Sequence, residues 1–255
     1  EDRKADSPFF LQIGFPGPHP PYDPTDEFLA IYKDTEFPHR AASQQELAQQ
    51  PKMHQQLRQS MVDFNIDSVA WRENLTDEDI QRLHRYYAAN VSMIDQKVGQ
   101  IMDCLDKQGY SDNTIVIFCS DHADALGEHG HIQKWTMYDC VTRVPLVFWA
   151  PDRVKQQQQC DDLVQLMDIA PTILQFAGID PPSNWEALAM NKMLTSGCWD
   201  EQDPNEKLRD HVYAELGRDH IQSGAEHVIM RRDNRWKYVI YPGTDDGELY
   251  DLQND

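Results

Sequence analysis

The longest regular pattern of apolar positions runs from Thr76 to Gly109. Apolar side chains recur there at steps of three and four residues, which is the spacing of one face of an α-helix. Thr76 followed by Asp79 has the form of an N-terminal capping box, and Gly109 is a typical residue after a helix end. The pattern therefore predicts a core-packing helix of roughly eight turns.

Short apolar runs elsewhere predict strands. Residues 114–119 and 144–150 are continuous apolar runs on either side of a polar, His-rich segment, and they predict two strands. Residues 9–15 form a third run, which ends in a proline-rich loop and is typical of a buried strand in a parallel sheet. The Gln-rich stretch 43–60 predicts either a surface helix or a poorly ordered insertion. Asp168 is expected to cap a short helix that ends near Phe176.

The pattern changes at about residue 185. Runs at 211–216, 227–231 and 236–241 are joined by Gly, Asp and Asn turns, and they predict a meander of short strands packed against the main body. Strand–helix–strand order followed by hairpins predicts an α/β fold with a small α+β appendage. We therefore divide the chain into a main α/β part, residues 1–183, and a small C-terminal subdomain with antiparallel strands, residues 184–255.

Composition and charge exclude several classes of protein. The chain has 255 residues, of which 40% are hydrophobic, so it can bury a sizeable core and is not expected to be disordered. With 23 basic and 43 acidic residues its net charge is −20, which argues against nucleic acids and anionic membranes as partners. No apolar run approaches the ~20 residues of a membrane span. The chain starts with Glu and shows no signal peptide, so we expect a mature, processed or excised product.

The cysteines indicate neither a zinc knuckle nor a redox motif. There are five, they are irregularly spaced, and no CxxC motif occurs. A disulfide framework is not expected. Cys104 and Cys119 are expected to be small core residues, because free cysteine is one of the most buried residue types.

Candidate chemistry lies at the end of the strand predicted at 114–119. Asp121 and His122 follow it directly, and ligands bind at the carboxyl ends of strands in open α/β sheets. A carboxylate beside an imidazole suits a divalent metal of intermediate hardness. The alternative is an ordinary turn with a capping Asp and a solvent-facing His.

Two further residues could take part in a reaction. Lys134 follows a segment rich in glycine and histidine, and near a metal its ammonium would stabilise a tetrahedral oxyanion. His19 lies in a stiff loop with four prolines in the seven residues 16–22, which would fix its imidazole for acid catalysis. The alternatives are a surface lysine and a solvent-facing histidine.

Several segments resemble the sulfatase family of the alkaline-phosphatase-like superfamily. They include FFLQIGFPGPHPPY at 9–22, VIFCSDHADALGEH at 116–129, KWTMYDCVTRVP at 134–145 and RWKYVIYPGTDDGELYD at 235–251. The similarity runs from residue 9 to residue 251 with the motifs in the family's order. The Asp-His pair is most similar to the branch of choline-sulfatases and phosphonate monoester hydrolases.

The resemblance implies a role for each candidate residue. Asp121 and His122 would be metal ligands, Lys134 would contact the sulfate or phosphate oxygens, and His19 would bind the anion and help to protonate the leaving oxygen. One divalent metal is implied, with Ca²⁺ expected and Mg²⁺ or Mn²⁺ as alternatives. Other residues that match family positions are expected to support the site: Glu128, His129, Thr136 and Arg143.

The chain also departs from the family pattern. Ala123 stands where glycine is usual, and Asp139 replaces the commoner glutamate. No cysteine lies in the Cys-x-Pro-Ser-Arg motif whose Cys or Ser becomes formylglycine, and neither two N-terminal metal-binding aspartates nor the loop with a second catalytic lysine is present. The resemblance therefore implies an alkaline-phosphatase-like central mixed sheet flanked by helices, without the N-terminal part of the catalytic domain.

These observations favour metal-dependent hydrolysis of a sulfate ester by the complete protein. The substrate would be a small-molecule or saccharide sulfate ester, and the partner of this chain would be the missing N-terminal half, which carries the formylglycine. The chain alone is expected to be inactive. One alternative is a phosphonate monoester or phosphodiester hydrolase of the same superfamily. The other is a non-catalytic, sulfatase-like binding module.

Overall fold

A computed structural model describes residues 7–39, 41–64, 69, 75–197, 207–217 and 226–254. These residues form helices and two antiparallel sheets, which gives the expected α/β fold class. The helices are α1 Asp26–Ile31, α2 Gln44–Gln49, α3 Lys52–Phe64, α4 Asp77–Lys107, α5 Asp139–Thr142, α6 Ile169–Phe176 and α7 Asn191–Ser196. The strands are β1 Val116–Cys119, β2 Leu146–Trp149, β3 Val212–Gly217, β4 His227–Arg232, β5 Trp236–Ile240 and β6 Gly247–Asp251.

Helix α4 confirms the prediction made from the apolar spacing. Its capping box is present: the Thr76 hydroxyl accepts the Asp79 N–H at 3.2 Å, and the Asp79 carboxylate accepts the Thr76 N–H at 3.0 Å. Ile80 and Leu83 on its first turns are fully buried. Among the described helices, none combines the length and apolarity needed to cross a bilayer.

The Gln-rich stretch is helical, which was one of the two alternatives predicted for it: α2 is a surface helix with no buried residue, whereas α3 contributes to the core. Helix α3 buries Met53, Leu57 and Met61, and Leu57 is only 1% exposed. These residues are spaced four apart and lie on one face, which packs against Leu83 and Trp135. The glutamines lie between these positions and lower the mean hydropathy of a helix that has a continuous apolar stripe.

Strands β1 and β2 pair antiparallel, from Val116 opposite Trp149 to Cys119 opposite Leu146. Both strands predicted from these apolar runs are confirmed, but they are not fully buried: Phe118 is 39% and Val147 is 53% exposed. Among the described residues no further strand joins this pair, so both of its edges lack a neighbouring strand.

The residues at 9–15 were predicted to form a buried strand, and this prediction was wrong. They join no described sheet, and Phe10 is exposed. Cys104 and Cys119 are exposed rather than in the core. Cys160 is disulfide-bonded, contrary to the expectation of free thiols, and Cys198 lies outside the described residues. Each of these predictions relied on local features of the sequence, whereas burial and disulfide pairing depend on which distant segments meet in the fold.

The C-terminal meander is a four-stranded antiparallel sheet in the order β3–β4–β5–β6. Three of its strands were predicted, and β6 was not. Val228, Met230 and Val239 on its inner face pack with Met53 of α3 and with Met137. The sheet thus shares its core with the main body.

Helix α6 lies where it was predicted, but Asp168 does not cap it. The side chain of Asp168 makes no capping bond to α6, because Asp168 ends a preceding 3₁₀ turn and already has helical backbone angles. Its buried carboxylate instead accepts the N–H groups of Gln165 and Leu188, both at 2.8 Å, and pairs with Arg209.

Candidate active site

The chain turns sharply where β1 ends. The Ser120 hydroxyl donates to the carbonyl of His122 at 2.8 Å, and the His122 N–H donates to Oδ1 of Asp121 at 3.0 Å. The Asp121 side chain is 87% exposed and that of His122 is 30% exposed. Partial burial raises the pKa of the Asp121 carboxyl, but His122 and the backbone N–H bond outweigh it, so the pKa is lowered overall. The turn therefore presents an ionised carboxylate and an imidazole side by side.

The hydrogen bonds of the two site histidines fix their tautomers. Nδ1 of His122 lies 3.0 Å from the carbonyl oxygen of Ala123, and Nδ1 of His19 lies 2.7 Å from that of Pro20. A carbonyl can only accept, so each Nδ1 carries the hydrogen. Each neutral ring then has a free lone pair on Nε2, which is the atom available to a metal or a proton.

The ammonium of Lys134 lies between these two lone pairs. Its Nζ is 2.9 Å from Nε2 of His122 and 3.3 Å from Nε2 of His19. The two imidazole rings meet edge to face with centroids 6.2 Å apart. The structure therefore brings His19, Asp121, His122 and Lys134 together from three separate segments of the chain.

The donor set beside β1 fits part of a metal site. Oδ2 of Asp121 lies 3.7 Å from Nε2 of His122, and the Nδ1–H bond to a backbone carbonyl is the usual way to orient a ligating imidazole. Within the described segments, no group of three or more His, Cys, Asp or Glu side chains could hold a metal. Asp121 and His122 can thus supply two ligands, and a complete coordination sphere needs more.

The supporting residues predicted near the site have mainly structural contacts. The His129 ring stacks on Tyr138 with centroids 4.0 Å apart and pairs with Glu46 of α2 at 2.9 Å. Thr136 is buried, and its hydroxyl has no hydrogen-bond partner among the described residues. Asp139 accepts hydrogen bonds from two basic side chains of the C-terminal sheet.

The sequence pattern indicated no role for Asp124 or Tyr22. The Tyr22 hydroxyl donates to the Asp124 carboxylate at 2.6 Å, across 102 positions of sequence. The only feature of the sequence that could have indicated a role was their position close to the candidate residues. An Asp in a turn and a Tyr after prolines are common in proteins and do not by themselves indicate a function.

Comparison with known proteins identifies the family. The family model described as Sulfatase matches residues 1–179, which is well over half of the chain. This chain belongs to the sulfatase family. A second model, described as N-sulphoglucosamine sulphohydrolase, C-terminal, matches residues 127–255.

Individual sulfatases match over nearly the whole chain. An arylsulfatase of Clostridium perfringens is 26% identical, with 99% of this chain and 49% of that protein covered. A choline-sulfatase of Rhizobium meliloti is 29% identical, with 100% and 46% covered. The crystal structure of a phosphonate monoester hydrolase of Agrobacterium radiobacter is 27% identical, with a TM-score of 0.83, and 98% of this chain and 51% of that chain are covered. This sulfatase chain therefore has an alkaline-phosphatase-like fold and spans about half the length of the relatives it matches.

Proposed function

We propose that the complete protein hydrolyses a sulfate ester and that this chain supplies the anion-binding and proton-donating part of the active site. The proposal is carried by one observation: the Lys134 ammonium lies between Nε2 of His19 and Nε2 of His122, beside the Asp121 carboxylate. An ammonium placed in this way can neutralise the oxygens of a tetrahedral sulfate group as charge develops on them.

The roles of Lys134 and His19 follow from their geometry. Lys134 would bind a non-bridging oxygen of the sulfate. His19 would present Nε2 to the leaving oxygen, because the hydrogen bond from its Nδ1 to Pro20 fixes the direction of the ring. With a proton on Nε2, His19 would donate it to the leaving oxygen and keep the departing alcohol neutral, while the Lys134 ammonium, 3.3 Å from this nitrogen, would keep its charge for the sulfate oxygens.

Asp121 and His122 would hold one divalent cation together with ligands from outside this chain. Ca²⁺ is the cation we propose, with Mg²⁺ and Mn²⁺ as alternatives. When bound, the cation would supply Lewis-acid polarisation of a sulfate oxygen. In the structure Nε2 of His122 accepts a hydrogen bond from the Lys134 ammonium. The Lys134 side chain would therefore have to rotate away from His122 when the imidazole binds a cation.

The rest of the sulfatase domain is the partner that we propose for this chain. It would supply the formylglycine nucleophile and the missing metal ligands. It would also cover the exposed apolar side chains of β1 and β2, such as Phe118 and Val147. The division of the chain at residue 183 belongs to the same proposal.

A small-molecule or saccharide sulfate ester is the proposed substrate. Named relatives of this chain include a choline-sulfatase of Rhizobium meliloti and an N-acetylglucosamine-6-O-sulfatase of Bacteroides thetaiotaomicron. The similarity to a phosphonate monoester hydrolase supports a second candidate, hydrolysis of phosphonate monoesters or phosphodiesters. Both reactions require the same charged groups and hydrogen-bond donors around a tetrahedral anion.

Steady-state kinetics of the complete protein test the proposal. We expect a higher kcat/KM for a nitrophenyl sulfate than for a nitrophenyl phosphonate, and no turnover by this chain alone. Lys134→Ala should lower kcat/KM for the sulfate about 100-fold to 1,000-fold, because it removes charge stabilisation from the transition state. Lys33→Ala, at an exposed lysine of α1's C-terminal turn, is the matched control and should leave kcat/KM unchanged.

Other outcomes would contradict the proposal in different ways. Full activity of Lys134→Ala would refute the role of this residue. A preference for the phosphonate would favour the second candidate. Absence of turnover, with no shift of the melting temperature by sulfate or divalent cations, would indicate a non-catalytic binding module.

A further inference from the structure

One carboxylate lies at the junction of the three segments that carry the candidate site. Oδ2 of Asp124 accepts the Tyr22 hydroxyl at 2.6 Å. Its Oδ1 accepts the N–H of Gln133 at 2.8 Å and that of Leu126 at 2.9 Å. The carboxylate thus receives donors from the proline loop, from its own turn and from the segment that leads to Lys134.

Each of these contacts is adjacent to a candidate residue. Asp124 itself is two residues beyond His122, and Gln133 immediately precedes Lys134. Tyr22 is three residues beyond His19, and the two prolines between them limit the backbone freedom of the connection. Fixing Asp124, Gln133 and Tyr22 therefore restricts the positions of His122, Lys134 and His19 as well.

Tyr22 and Gln133, the donors at the two ends of this hydrogen-bond arrangement, have few other positions available to them. Tyr22 is buried and packs in the core cluster with Leu57, Leu83 and Trp135, so its hydroxyl cannot turn to solvent. Gln133 has a left-handed backbone with φ of 61°, which a non-glycine residue adopts only when its surroundings hold it. Its N–H is held by Asp124, and its carbonyl accepts the N–H of Ala125 at 2.8 Å.

We propose that Asp124 is a positioning residue, which uses its three hydrogen bonds to hold His19, His122 and Lys134 in register, and that Tyr22 is its link to His19. As far as it concerns catalysis, this inference rests on the proposed function. The Lys134 Nζ can come within 2.9 Å and 3.3 Å of the two histidines because the backbones of the three segments meet at Asp124, and these backbone positions are kept when the Lys134 side chain turns away from His122. A displacement of about 1 Å is enough to cost a large factor in rate.

Tyr22→Phe is the sharpest variant, because it removes one hydroxyl and leaves the ring in the core. In the complete protein we expect kcat for a nitrophenyl sulfate to fall about tenfold with little change in KM. Asp124→Asn should lower kcat at least as much, since an NH2 group replaces one of the two accepting oxygens, so the side chain can no longer accept both from the Tyr22 hydroxyl and from the two backbone N–H groups. Tyr87→Phe is the matched control, since Tyr87 lies edge-on to Tyr22 with centroids 6.4 Å apart, and kcat should not change.

A double-mutant cycle separates positioning from general destabilisation. If Tyr22 acts through His19, then Tyr22→Phe should have little further effect on kcat when His19 is already alanine. An equal loss of kcat in both backgrounds would overturn the proposal, because a merely structural role lowers activity whether or not His19 is present.

Side-chain NMR of ¹⁵N-histidine gives a readout that needs no turnover. Tyr22→Phe should shift or broaden the ring signals of His19 and leave those of His122 unchanged, whereas Asp124→Asn should change both. Unchanged His19 signals in both variants would overturn the proposal. If the wild-type protein fails to hydrolyse the sulfate while these NMR changes occur, the proposed function fails and the positioning role stands.

Discussion

His54 and His131 lie in the core with their ring centroids 4.9 Å apart, edge to face. Burial is the main reason that the pKa of each is lowered from 6.5, in the case of His131 well below that value. The nearby Arg58 lowers both pKa values further, whereas the buried Glu248 raises that of His54. The folded protein therefore disfavours protonation of both rings.

The lowered pKa values of His54 and His131 predict that the protein loses stability as the pH falls below 6.5. The unfolded chain takes up protons there that the folded state does not, so the free energy of unfolding should decrease by up to about 1.4 kcal/mol per pH unit for each histidine. At a pH well above 6.5 both rings are neutral in the folded and in the unfolded state, and they contribute no pH dependence there. Urea unfolding between about pH 7.5 and about pH 5.5 measures the effect.

His131→Gln should flatten this pH dependence, whatever it does to stability at neutral pH. His227→Gln is the control, since His227 is exposed on β4 and should leave the slope as in the wild type. The same slope in His131→Gln as in the wild type would show that the buried ring is not responsible.

Helix α4 shows how much local signals achieve at the scale of an element. Its apolar spacing, its capping box and the glycine after its end all agreed, and the prediction was correct to within a few residues. Helix α3 has no capping signal, and the glutamines between its apolar positions lower its mean hydropathy, so its contribution to the core was not predicted. Strand β6 was missed because glycine and acidic residues open it.

Thr76→Ala should lower the free energy of unfolding by about 1 kcal/mol, because the hydroxyl that accepts the Asp79 N–H is removed. Thr76→Ser keeps this hydroxyl and should remain near the wild type. Urea unfolding of the three proteins at neutral pH tests this. Equal stability of Thr76→Ala and Thr76→Ser would show that the capping box does not stabilise α4.

At the scale of the whole molecule, an ion cluster joins the C-terminal sheet to the segment that follows Lys134. Asp139 at the start of α5 accepts from Lys237 of β5 at 2.6 Å and from Arg232 of β4 at 2.8 Å. Burial lowers the pKa of Lys237, although Asp139 opposes this effect. For Asp139, burial raises the pKa, but the bond from Lys237 and the two positive charges lower it overall.

Lys237 and Asp139 differ in exposure, which predicts that substitutions of the two residues lower the free energy of unfolding by different amounts. The Lys237 side chain is 3% exposed and that of Asp139 is 39% exposed. Asp139→Asn would leave a buried ammonium without its carboxylate, so we expect a loss of about 3 kcal/mol in the free energy of unfolding. Lys237→Met would leave a carboxylate that water and Arg232 can reach, with a loss of about 1 kcal/mol.

Urea unfolding of Asp139→Asn and Lys237→Met measures both effects. Arg231→Met provides the control, since Arg231 is an exposed arginine next to Arg232 on β4 and should change stability little. A larger loss for Lys237→Met than for Asp139→Asn would contradict the argument from burial.

The sequence by itself determined the family and the secondary structure where local spacing is strong, and it indicated four candidate residues whose roles stay predictions. These follow from residue type, order and spacing, which are local properties of the chain. Burial was predicted less well: Phe10, Leu11 and Cys119 belong to apolar runs and were expected to be buried, yet they are exposed, because burial depends on contacts between segments that are distant in sequence.

Only the tertiary structure decided how the candidate residues relate to one another. His19 and Lys134 are 115 positions apart, and Tyr22 and Asp124 are 102 apart, so no local pattern could place them in contact. The tautomers of the two histidines depend on which carbonyl lies next to each ring, and the shared bonds of Asp124 depend on three segments meeting. Such contacts form when distant segments pack together, and the spacing of residues within one segment does not specify them.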